Sequence, residues 1–211
     1  MSTTRGTILL TGANGGIGGG IASEILKSSY GTTHETIYVV RDPAKAEWLK
    51  TILIRAPKDH QHEILPLDLT SLDSVRTLAA GINKRVANGS LPPLQAVILN
   101  AGMQDVTSKR FTNDGMERTF EVNYLANFLL VLLLLGSMDK QNGRIVFVGS
   151  TSTKLDWGPN SSNFTSEKQK ETLITTTENM AKGIEEYPDN DIYKTGMRAY
   201  AMSKLLMMMW M

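Results

Sequence analysis

The stretch that decides the fold is "TILLTGANGGIGGG", residues 7–20. A short β-branched and aliphatic run, 7–11, gives way at once to a glycine cluster, and "GIGGGIASEILKSS" then reads as a helix. Gly12, Gly16 and Gly18 permit a tight turn and a close backbone approach. The helix start offers N–H groups and the positive end of its dipole to a pyrophosphate. A glycine cluster alone needs no ligand, because a turn needs glycine anyway. The strand–turn–helix setting is what makes it an expected cofactor cradle.

Outward from this turn, the same alternation repeats. "TIYVV" (36–40) precedes a helical pattern over 43–56, whose Pro43 suits a first helical position. "HEILPLDL" (62–69) leads to a helix over 71–89, opened by Ser71 as cap. "LQAVILNAG" (94–102) and "GRIVFVGS" (143–150) complete five strands, with a long apolar helix over 114–138 between them. Strands that are apolar throughout, alternating with helices, predict a doubly wound α/β domain whose parallel sheet is covered on both faces. The segment 151–197 breaks the rhythm. It is polar and turn-rich, and it reads as an inserted surface excursion within a single domain spanning 1–211.

The totals exclude several classes of function. The chain has 211 residues, enough to bury about 70% of its unfolded surface. Its net charge of +1 gives no basic field for nucleic acid. The absence of cysteine rules out disulfides and thiolate metal sites and fits a reducing compartment, so a cytoplasmic location is expected. His34, His60 and His62 form no ligand pattern, so no metal is expected and surface roles are. "FLLVLLLL" (128–135) is too short to cross a bilayer, so no membrane span is expected. "NSS" (160–162) and "NFT" (163–165) match the glycosylation acceptor pattern by chance.

The glycine spacing after a threonine resembles the short-chain dehydrogenase/reductase superfamily, retinol-dehydrogenase-like or carbonyl reductase type. "LDL" (67–69), "NAG" (100–102), "TNDGMERTFEVNYLANFLL", "GRIVFVGS" and "YAMSK" (200–204) follow in the family's order. The resemblance implies a Rossmann-type sheet of order 3-2-1-4-5 and a bound nicotinamide cofactor. The residues it implies for that cofactor are Gly12, Asn14, Gly16, Ile17, Gly18, Arg41, Asp68, Leu69, Asn100, Ala101 and Gly102, with Tyr200 and Lys204. It implies Tyr200 as acid/base, Lys204 as its tuner, Ser150 as carbonyl polariser and Asn123 as orderer of a water linked to the lysine. Tyr200 and Lys204, four apart, share a helix face, and a lysine ammonium there would stabilise a phenolate. Singly, each of these residues is an ordinary structural choice; the ordered set points to chemistry.

At the end of the second strand stands "VVRDP". An acidic residue there would bind the adenosine ribose 2′-OH and favour NAD(H), whereas an arginine accepts a 2′-phosphate. Arg41 comes first, and Asp42 before Pro43 suits a turn or cap, so NADP(H) is favoured over NAD(H). The implied reaction is carbonyl reduction, or oxidation of the matching alcohol, by hydride transfer.

Two departures from the family stand out. Ser150 and Tyr200 are unusually far apart, a gap the insertion explains; Trp157, Phe164 and Tyr193 are candidate substrate contacts on it. Family members also continue past residue 211 into a sixth strand and pocket-forming elements. An incomplete C-terminal region is therefore expected, with "RIVFV" as an edge strand and "LLMMMWM" meant for burial. A catalytically weak or inactive relative that binds nucleotide or a protein partner is one alternative. A non-redox isomerase, dehydratase or epimerase reusing the fold is another. Pairing of two copies through the long helix and the Tyr200 helix is the expected oligomer.

Overall fold

The structure, a computed structural model, describes residues 5–210. Five parallel strands lie in the order β3-β2-β1-β4-β5, as expected: β1 Gly6–Thr11, β2 His34–Val40, β3 His62–Pro66, β4 Leu94–Leu99 and β5 Arg144–Phe147. The helices that matter here are α1 (Gly16–Lys27), α2 (Glu47–Leu53), α3 (Leu72–Ala87), α4 (Arg118–Ser137) and α5 (Ile192–Trp210). Two compact units emerge. One comprises the residues up to Asp68 with Asp73–Ala101 and Leu129–Val148; the other comprises Leu69–Leu72, Gly102–Phe128 and the residues from Gly149 onward.

The first unit holds the sheet. Ile8, Leu10, Tyr38 and Val40 pack with Ala22 and Ile25 of α1 and Leu49 of α2. Their neighbours Leu9, Ile37 and Val39 alternate to the opposite face and are equally buried. There α3 buries Val75, Leu78, Ala79 and Ile82, and Asn83 ties it to the end of α4 through Leu133 O (2.9 Å) and Ser137 Oγ (2.6 Å). Burial on both faces is why these strands are apolar without alternation. β3 ends at Pro66, short of the expected 69, and the Leu67 N–H makes one further bond to Val40 O (2.8 Å). At the sheet's end, β5 leaves Val146 exposed, as an edge strand would.

Several element boundaries differ from expectation. The helix predicted over 43–56 is broken at Ala46 into a short 3₁₀ turn (Pro43–Lys45) and α2, with Asp42 capping the turn. The histidines do not take surface roles alike. His34 and His60 are buried, His34 bonded to Gln95 Oε1 (2.9 Å) and His60 to Tyr38 Oη (3.2 Å) and Gly31 O (2.8 Å). Burial holds the His60 pKa below its ordinary value. Among the described residues no cluster of His, Cys, Asp or Glu could hold a metal ion.

α4 begins at Arg118 rather than 114, because the Glu117 carboxylate accepts the Thr119 and Phe120 N–H groups (3.0 and 2.7 Å). Its residues Glu121–Leu125 are π-helical. At 20 residues and mean hydropathy 1.6, it is long and apolar enough to cross a membrane by length and composition. More than half of its most apolar window is buried within the protein, however, as in a core helix.

The second unit contains the insertion, which does not loop out as a polar excursion. Leu173, Ile174, Met180 and Ala181 pack with Phe120 and Tyr124 of α4 and with Met202 and Leu206 of α5. α5 itself starts at Ile192, taking in residues assigned above to the insertion, because Asp191 caps it through the Lys194 N–H (3.1 Å). Phe164, a candidate substrate contact, is buried, whereas Trp157 and Tyr193 are exposed. Met208 and Met209 are exposed too, contrary to the burial expected for that run, while Leu206 and Met207 are buried. Asn160 and Asn163 are 5% and 4% exposed, which closes both glycosylation matches.

Candidate active site

In the first unit the glycine turn is built as the sequence requires. Gly12 has φ +68°, a region that favours glycine, and a Cβ on it would lie 2.8 Å from Ala101 Cα. A Cβ on Gly18 would lie 2.1 Å from Gly12 O, so α1 rests directly on the turn. Gly16 has open space beside it, and Ile17 is exposed next to it. The helix N-cap, Gly15, provides no side-chain hydrogen bond, and the first turn carries no acid. The first N–H groups of α1 therefore stand without an intrahelical acceptor, as an anion site requires.

Other expected cofactor residues serve the turn itself. Asn100 donates Nδ2 to Thr11 O (3.0 Å) and Gly12 O (3.2 Å), while Thr11 Oγ1 accepts the Asn100 and Ala101 N–H groups (3.1 and 3.0 Å). The hydroxyl and the amide together lock β1 to the end of β4. Asn14 is turned toward the helix after β2, accepting the Leu49 N–H (2.9 Å). Arg41 is exposed, and among the described residues no carboxylate pairs with it. Asp42 is engaged, accepting the Ala44 N–H (2.9 Å) and facing Lys45 Nζ at 3.5 Å. Asp68 receives a bond on its own N–H, which donates to Ser74 Oγ (3.0 Å). Leu69, in the second unit, is buried.

In the second unit the π-helical stretch with Asn123 and the turn after Ser150 (Thr151–Thr153) both pack against α5, the helix that carries Tyr200 and Lys204. Asn123 is fully buried. Its Oδ1 accepts Met103 N–H (2.8 Å), and its Nδ2 donates to Met103 O (2.8 Å) and Ser203 Oγ (3.0 Å). Both amide hydrogens are thus engaged within the protein, so a water can meet this residue only at an oxygen. A Cβ on Gly102 would lie 3.2 Å from Asn123 Oδ1 and 3.6 Å from Lys204 Nζ, which places that glycine against both.

Lys204 is 4% exposed, with Nζ 5.9 Å from the centre of the Tyr200 ring. Burial pushes its pKa down. Tyr200 is half-buried, and within the described residues its hydroxyl has no hydrogen-bond partner. Ser150 is half-buried in extended backbone; its Oγ accepts the Ser152 N–H (3.2 Å) and lies 2.9 Å from Ser152 Oγ. Sequence reasoning missed Ser152 and Arg198, the latter a nearly inaccessible guanidinium on α5 bound to Glu185 and Asp189. A hollow lined by Leu173, Met180, Ile184, Ala199 and Met202 lies on another face of α5, and none of the four catalytic candidates lines it.

The family model for short chain dehydrogenases matches residues 6–187. The short-chain dehydrogenase iccH of Talaromyces variabilis is 41% identical over 231 residues, covering 95% of this chain and 61% of that protein. An uncharacterised Mycobacterium paratuberculosis protein of known structure superposes with a TM-score of 0.66 at 27% identity, over 96% of this chain and 59% of its own. A metagenomic short-chain oxidoreductase solved in complex with NADP gives a TM-score of 0.62 at 20% identity, over 100% and 74%. The chain therefore spans about three-fifths of the length of the first two.

Proposed function

Because the chain belongs to the short-chain dehydrogenase family, an oxidoreductase family, we propose that it reduces a carbonyl, or oxidises the matching alcohol, with NADP(H). One observation carries this reading: the Ser150 turn and the Asn123 segment both pack on the helix that bears Tyr200 and Lys204. Bound NADPH supplies the hydride that the carbonyl carbon receives. Ser150 donates a hydrogen bond to the carbonyl oxygen, and Tyr200 delivers the proton that completes the alcohol. Lys204 places a cation beside the Tyr200 ring, where it favours the phenolate left behind. Asn123 holds the backbone at Met103 and the face of α5 at Ser203, which keeps this geometry fixed.

The residues present fit a dinucleotide. Gly12 and Gly18 leave no room for a side chain at the turn, and the start of α1 has no competing acid. Gly18→Ala is expected to weaken NADPH binding at least about tenfold, because the clashing atom is backbone and cannot rotate away. Titration of the folded variant checks this; unchanged affinity would remove the turn from the cofactor site.

The choice of NADP(H) rests on Arg41 being exposed while Asp42 is committed to the Ala44 N–H. A relative solved with NADP is consistent with it. Arg41→Asp is expected to shift the ratio of NADPH to NADH affinity by about tenfold or more toward NADH, through loss of the planar cation. Parallel titrations with the two cofactors measure it, and an unmoved ratio would sink the assignment. The whole reading is tested by titrating with NADPH and following its oxidation over a panel of aldehydes and ketones. Tight binding without turnover on any of them would favour a nucleotide-binding relative instead. Pairing of copies through α4 and α5 would have to use surface outside the part that the insertion covers, such as Met208 and Met209.

A further inference from the structure

Within the second unit a chain of hydrogen bonds leads from Ser150 through the insertion to the helix of Tyr200. The Ser152 carbonyl accepts from Asn160 Nδ2 (2.7 Å). Asn160 Oδ1 accepts from Asn163 Nδ2 (3.2 Å), and the Asn163 carbonyl accepts from Arg198 Nη1 (2.8 Å). Arg198 stands two residues before Tyr200 on α5. Its fork also holds Glu185 through Nε (3.1 Å) and Nη2 (2.8 Å), and Asp189 through Nη1 (3.0 Å). Ser152, Asn160, Asn163 and Arg198 are all buried, so solvent does not compete for these bonds.

We propose that Ser152, Asn160 and Arg198 are positioning residues, and that the insertion braces the Ser150 hydroxyl against the helix of the acid/base tyrosine. The proposal rests on the carbonyl-reducing function given above. Its physical core is the hydrogen-bonding capacity of a serine hydroxyl, which has one donor and two acceptor sites. Ser152 fills both acceptor sites on Ser150 Oγ, one with its backbone N–H and one with its own hydroxyl. Ser150 can then meet a ligand only as a donor, which is what polarising a carbonyl oxygen demands. Asn160 fixes the Ser152 backbone that delivers those two bonds. Arg198 holds the turn that carries Asn163 through its carbonyl and is itself anchored by Glu185 and Asp189, so that a shift of α5 moves the brace with it.

The decisive experiment is a double-mutant cycle on the whole chain, following NADPH oxidation with the carbonyl compound the parent turns over fastest. Ser152→Ala is expected to lower kcat about tenfold, the rate equivalent of one neutral hydrogen bond, with NADPH affinity unchanged. In a Ser150→Ala background the same change should cost nothing more, and Ser152→Thr should restore the rate in the parent background. A silent Ser152→Ala, or losses that multiply in the double variant, would overturn the proposal. A silent Ser150→Ala would instead remove the serine from the proposed function. Hydrogen exchange gives a readout independent of turnover. Arg198→Lys keeps the charge but loses the fork, and should speed exchange of the amides at 150–154 as well as those near 185–198. A rise confined to 185–198 would show that no brace reaches Ser150.

Discussion

Tyr200→Phe is expected to lower carbonyl turnover about a thousandfold while leaving NADPH affinity and thermal stability almost unchanged. The separation of these three readouts follows from what surrounds the side chain. The ring is half-buried on α5 and keeps its place near Lys204 Nζ in the variant. The hydroxyl makes no hydrogen bond to any described residue, so deleting it strands no buried partner and removes no bond that holds the fold. Only a reaction that takes a proton from that oxygen should notice. Steady-state NADPH oxidation, a cofactor titration and a melting curve on the same preparation check the three parts. Turnover within a few-fold of the parent would exclude Tyr200 as the acid/base, whatever the cofactor result.

The parts that were legible in sequence share one property: their cause is local or periodic. The glycine turn is decided by backbone space, and the same glycines that suggest it are those whose Cβ atoms would collide with Gly12 O and Ala101. The five strands follow from apolar runs alternating with helices, and their order is the one the family resemblance implies. What stayed hidden depends on partners distant in sequence. Arg198 looks like one more surface cation until Asn163, Glu185 and Asp189 are folded around it. Asn160 and Asn163 look like glycan acceptors, because a sequence pattern carries no burial. Nothing local in the sequence marks His34 and His60 as buried either, yet each lies inside the first unit with a hydrogen-bond partner. The start of α5 left a weak local signal: Asp191 as a cap, with Ile192, Gly196, Ala199 and Met202 at helical spacing. Polar residues between them masked it.

Lys204→Met is expected to flatten the rise of the melting temperature with pH and to lower turnover about a hundredfold or more. The lysine is nearly inaccessible, and burial lowers its pKa below the ordinary value of 10.5. A folded-state pKa below the unfolded one means that the folded chain binds this proton more weakly. The folded state bears the cost of holding the charge away from water. As pH rises through the folded pKa toward 10.5 the ammonium is discharged first in the folded state, and the cost is relieved. Stability contributed by this group is therefore present above the unfolded pKa and lost as pH falls through the folded one. Methionine has similar length and no proton to lose, so the rise in stability with pH that the parent draws from this group should be missing in the variant. Turnover should fall by about a hundredfold or more, since no cation then remains beside the Tyr200 ring to favour its phenolate. Melting curves from pH 7 to 10 on parent and variant test the first claim. A variant whose melting temperature follows pH as the parent's does would mean that Lys204 does not set that dependence. A variant that keeps its activity would take the lysine out of the chemistry altogether. A loss of that pH dependence joined to a loss of rate is what a buried charge placed for catalysis should produce.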